Sequence, residues 1–166
     1  MTTNSDQANA VEALMELARQ VRGSTIQLLH VPDRMRLTWV PTGTSNHILW
    51  HAGHVLWLQD ALSIRPLMGR SELPPAWAAT FGQNSRPAVI TQWPDQQEVR
   101  AHLESQLSRI AELLNEHAET ILANANAIPA SGGWPLMPGM IHGWHDESRH
   151  QGEMYLLHKL QRSIRG

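Results

Sequence analysis

Met140-Ile-His-Gly-Trp-His-Asp-Glu-Ser-Arg-His-Gln-Gly-Glu153 is the stretch on which the reading of this 166-residue chain turns. It has no strand-like alternation, and its polar residues recur at helical spacing. A helix turns about 100° per residue, so residues three or four apart share a face. His142, Asp146 and His150 therefore form one stripe. His142 and His150 lie about 12 Å apart along the axis, too far to share one ion. His145 and His150 are separated by about 140° around the helix and do not chelate together. Spacing leaves two adjacent pairs open as metal ligands, Asp146 with His150 or His142 with Asp146.

A second cluster stands upstream, His47-Ile-Leu-Trp-His-Ala-Gly-His-Val-Leu-Trp57. His47 and His51 are four apart, and His51 and His54 three apart, so His51 shares a face with both neighbours. One histidine from this helix and two ligands from the later one would leave coordination positions for water or substrate, the pattern of catalytic rather than closed structural sites. Imidazole and carboxylate ligands suit zinc, iron, nickel or manganese. Gly53 and Gly152 each follow a histidine by two residues. Glycine costs about 1 kcal/mol inside a helix, so both predict a close helix approach or a cramped pocket. Glu153, three residues from His150, is placed to orient it. Glu147, Glu153, His54 and His145 are the candidates for a general base. His30, His102, His117 and His158 read as incidental. The tryptophans read mainly as packing, with Trp50 and Trp57 as core or dimer contacts.

Working outward, four segments carry helical periodicity. The first runs from about Gln7 to His30, ending before Pro32, with Val11, Leu14, Met15, Leu17, Ala18 and Val21 apolar. The second is capped by Thr44 or Ser45 and runs to about Ile64, before Pro66. The third starts at Trp93-Pro94, with a stripe of Val99, Leu103, Leu107, Ile110, Leu114 and Ile121. The fourth runs from about Pro138-Gly139 to Ile164, with Met154, Leu157 and Leu160 apolar. The connection from Arg65 to Gln92 is long and proline-rich, with a short helix expected near Pro75 to Thr80, and Asn124 to Met137 is irregular. Connections of this length often wall functional pockets. The expectation is one all-α domain over residues 1–166, a four-helix bundle with long crossovers and a metal site in its core.

Composition narrows the function. Hydrophobic residues are 42% and charged residues 17% of the chain, a globular balance. The net charge of -2 has no basic block, which gives no footprint for nucleic acid. The absence of cysteine excludes disulfides, thiolate metal sites and cysteine nucleophiles. No apolar run reaches membrane-spanning length, and the first twenty residues lack a secretory pattern, so the cytoplasm is the expected location.

The two histidine segments, with Pro74-Pro-Ala-Trp-Ala-Ala-Thr-Phe-Gly82 between them, resemble the DinB/YfiT-like proteins in order and helix layout. There a Trp-His stretch on the second helix is followed by a later helix typically carrying His-x-x-x-His-x-Gly-Gln/Glu. The resemblance implies a DinB-type four-helix bundle, usually a homodimer, with one divalent metal on three ligands. Carried over by position, those ligands fall on His51, Asp146 and His150, with His47, His54, His142 and His145 as alternates. The chain departs from the commonest pattern in having aspartate at position 146. The resemblance further implies a metal-dependent enzyme on a small molecule, a transferase or isomerase using a low-molecular-weight thiol or a hydrolase. The alternative it leaves is a non-catalytic metal-binding or stress-associated protein.

Overall fold

The computed structural model describes residues 4–30, 36–129 and 132–165. It is all-helical, with no strand among the described residues. Four longer helices carry the fold: α1 (Asn4–Leu29), α2 (Ile48–Gln59), α5 (Gln96–Glu116) and α7 (Leu136–Arg165). Short helices α3 (Arg65–Met68), α4 (Trp77–Phe81) and α6 (Ala118–Ala123) lie in the connections. α1 packs on α5 and α7, and α2 on α7, α4 and α5. Among the described residues no helix is long and apolar enough to cross a membrane.

Most of the apolar stripe residues are buried as periodicity requires, with Leu107 and Leu160 half-buried. Val11, Leu14, Met15, Ala18 and Val21 of α1 are core residues, whereas Leu17 points outward. α2 is different: it is apolar nearly all round, and every residue from Ile48 to Leu56 is buried. Such a helix sits inside a protein, not on its rim. The buried side chains form two clusters. One gathers Trp50, Val55, Phe81, Leu103 and Met154; the other gathers Ile64, Ile110, Leu114, Met140 and Trp144.

Helix ends depart from the sequence reading in physically legible ways. α2 is capped by His47, not Thr44 or Ser45. The His47 backbone is extended, and its Nδ1 accepts from Trp50 N at 3.0 Å. Leu49 N donates to Leu37 O, which holds the preceding segment against this start. Pro66 does not stop the chain. A π-helical turn over Asp60–Ile64 widens the helix, and α3 restarts with the proline in its first turn, where a missing N–H costs nothing. α3 closes at Gly69 (φ 70°), a left-handed cap. α5 is capped by Asp95, which accepts from Gln97 N, and it breaks at His117, so that Ile121 belongs to α6. Pro138 lies within the first turn of α7 rather than before it. Pro32, expected just past the end of the first helix, lies outside the described residues.

Candidate metal centre

The buried middle of α2 and the middle of α7 meet at His51, His54, Asp146 and His150. On α7, Asp146 and His150 are one turn apart on the same face, with His150 Nε2 3.3 Å from Asp146 Oδ2. The other nitrogen of that ring, Nδ1, lies 2.8 Å from Nδ1 of His51. His51 Nε2 in turn lies 3.2 Å from Glu153 Oε2. His54 comes from the next turn of α2. Its Nδ1 is 2.7 Å from the backbone oxygen of Phe81, at the end of α4. Its ring is held between Trp50 (4.7 Å, 15° between planes) and Trp57 (5.6 Å, 29°).

Among the described residues, two groups are positioned to hold a metal ion, His54–Asp146–His150 and His51–His150–Glu153. In each, one ligand atom per residue lies within 4.8 Å of the others. His150 belongs to both. The trio named by the resemblance is split between them, because His51 and Asp146 sit on opposite edges of the His150 ring. Among the alternates, His54 enters a group and the rest do not. His47 spends its Nδ1 on the α2 cap and packs edge-on to Trp93. His142 stacks on Trp134 at 4.4 Å and 11°, and His145 is exposed beside it.

Two expectations about acidic residues are corrected. Glu147 is not placed as a base: it is wholly buried on another face of α7 and bonded to Arg22 through both oxygens. Glu153 makes its close contact with His51, at 3.2 Å, instead of the expected one with His150. Of the two glycines, Gly53 has the predicted function, since a Cβ there would overlap the Phe81 ring, whose carbonyl holds His54. Gly152 has open space around it.

The protonation states follow from the contacts. Burial lowers the pKa of all three imidazoles. His51 is pushed down to about 3 by burial and then by His150, His54 and His47. His150 is pushed to about 4 by burial and His54, against the opposing pull of Asp146. His54 is lowered by burial, partly offset by its bond to Phe81 and by Asp146. At neutral pH each ring therefore carries one N–H and one lone pair. A carbonyl only accepts, so the His54 proton is on Nδ1 and its Nε2 is bare. The chain Glu153–His51–His150–Asp146 has three close contacts, and each needs one proton to be attractive. Two neutral rings supply two. One contact is left with lone pair facing lone pair, and a third proton is disfavoured by burial.

On the open side, a cavity of about 340 Å³ touches His51 and Glu153. Thr44, Ser45 and Asn46 form its polar wall and Leu156, Leu157 and Leu160 its apolar one. Comparison with protein-family models, curated proteins and solved structures found no match to this chain.

Proposed function

We propose that this chain binds one divalent metal ion between α2 and α7, and that His54 Nε2, Asp146 Oδ2 and His150 Nε2 are its ligands. The observation that carries the reading is the convergence of His54, Asp146 and His150 from the two helices, with one ligand atom of each within 4.8 Å of the others. Placing the cation at the Asp146–His150 contact relieves the proton deficit, because His150 Nδ1–H then donates to His51 Nδ1 and His51 Nε2–H faces Glu153. His54 adds a third, already bare nitrogen. Metal-binding histidines commonly have their second nitrogen fixed in this way, by a carbonyl for His54 and by a histidine–carboxylate chain for His150. His51 becomes the residue that orients His150 instead of a ligand. The rival group depends on Glu153, whose side chain is 61% exposed against 16% for Asp146, so more ordering is needed to hold an ion there.

Three protein ligands leave room for a water or a thiol, whose pKa a bound divalent ion would lower toward neutrality. An open position supports a metal-dependent enzyme acting on a small molecule, a transferase, isomerase or hydrolase. The DinB resemblance supports the same reading, and it adds a homodimer and a low-molecular-weight thiol as proposals. The alternative is a non-catalytic centre that staples α2 to α7, favoured by the burial of those helices against each other. Cobalt-substituted protein separates the two. An open position predicts a thiolate-to-cobalt charge-transfer band on adding a small thiol. A centre with no exchangeable position gives no such band and would leave the staple.

A further inference from the structure

The two apolar clusters are separated by a polar layer that the metal site does not use. On α1, Arg22 falls between Val21 of one cluster and Leu29 of the other; on α5, Gln106 falls between Leu103 and Ile110; on α7, Glu147 falls between Trp144 and Met154. Arg22 and Glu147 have no solvent exposure. Arg22 Nε and Nη2 donate to the two Glu147 oxygens at 2.9 and 3.0 Å. Nη1 donates to Leu103 O at 3.0 Å, and both Nη atoms donate to Gln106 Oε1 at 3.2 Å. All five guanidinium protons are thereby used. Thr25 Oγ1 donates to Glu147 Oε1 at 2.7 Å and accepts from Gln151 Nε2 at 2.9 Å. Gln106 Nε2 donates to Leu56 O at 2.9 Å, on the turn of α2 that follows His54.

A buried ion pair of this kind is no efficient source of stability. Apolar side chains of similar volume often do as well or better. What it supplies is a fixed axial position. Apolar helix faces tolerate small slides, and one residue of helix is about 1.5 Å of rise, whereas metal ligands must fall within about 0.2 Å of their ideal distances. The bonded chain runs from Glu147 on α7, through Arg22 on α1 and Gln106 on α5, to Leu56 on α2. Glu147 and Gln151 each adjoin a proposed ligand, Asp146 and His150, and Leu56 lies two residues beyond His54.

We infer that Arg22, Glu147 and Gln106 are positioning residues, which index α7 against α2 and so set the geometry of the metal centre. The inference rests on the proposed metal site.

The test uses full-length protein titrated with cobalt(II), reading affinity and visible ligand-field spectrum, with stability measured separately in urea. Arg22→Met/Glu147→Met should weaken cobalt binding about 10-fold or more and change the spectrum, whatever its effect on stability. Gln106→Met, which cuts the link to α2 and the two Arg22 bonds to Gln106 Oε1 but leaves the Arg22–Glu147 ion pair, should weaken binding in the same direction and decides the matter should the double variant not fold. Leu113→Ala, a buried truncation outside the network, should lose stability with affinity and spectrum unchanged. Wild-type affinity and spectrum in Gln106→Met, or an equal loss in Leu113→Ala, would overturn the inference. Wild-type protein that binds no cobalt would instead remove the metal site, and the inference with it.

Discussion

Removing one histidine should make the metal-free protein more resistant to acid. Burial holds His47 at about 4, His51 at about 3 and His150 at about 4, all from an ordinary value of 6.5. Between those values and 6.5 the unfolded chain binds more protons than the folded one, so stability is full above 6.5 and falls as the pH drops. At pH 5 each site lies 1.5 units below its unfolded value, which at about 1.36 kcal/mol per unit costs about 2 kcal/mol. Three such sites cost at most about 6 kcal/mol, comparable with the whole stability of many domains. His47→Asn isolates one share, because asparagine retains the α2 cap that His47 provides through Nδ1. Urea unfolding of chelator-treated protein, followed by tryptophan fluorescence at pH 7.5 and 5, gives the two stabilities. The loss across that interval should be about 2 kcal/mol smaller in His47→Asn than in wild type. An equal loss in both proteins, or no loss in wild type, would mean that burial does not hold His47 neutral in the folded state.

The two glycines should answer alanine substitution oppositely. Gly53→Ala drives a methyl into the Phe81 ring and should cost roughly 1–3 kcal/mol in urea unfolding, while Gly152→Ala meets nothing and should gain up to about 1 kcal/mol. Equal effects would deny the packing of α4 on α2. Asp146→His should keep zinc binding, since it leaves a ligand one turn from His150, whereas Asp146→Ala should lose it; isothermal titration checks both, and undiminished binding in Asp146→Ala would point away from position 146. His142→Ala should leave metal content unchanged, because its ring stacks on Trp134 outside either group; depletion on elemental analysis would contradict that placement.

Much of this arrangement is legible in the sequence because it depends on periodicity. The i,i+4 spacing of Asp146 and His150 puts both on one face of α7, and the stripes of α1 and α5 name most of the core residues on those two helices. What escaped the reading depends on contacts between distant segments. Nothing local distinguishes His51 from His54: what favours His54 in the proposed ligand set is Phe81 O, which reaches it from α4. The sequence placed the cap of α2 at a hydroxyl because serine and threonine are good caps, but His47 fills that role, its Nδ1 accepting from Trp50 N. The π-helical turn before Pro66 accommodates the ring where a simple helix would end. Glu147 read as a candidate base because its partner is 125 residues away. A signal did exist. Arg22 follows Ala18 by four residues on the buried side of α1, and a charge in an apolar register implies a buried partner.

The most direct test is an anomalous difference map from crystals of the full chain loaded with zinc, measured at the zinc edge. One peak is expected, bonded at about 2.0–2.2 Å to His54 Nε2, Asp146 and His150 Nε2, with His51 bound to His150 and not to the ion. A peak among His51, His150 and Glu153, or none between α2 and α7, would contradict that ligand set.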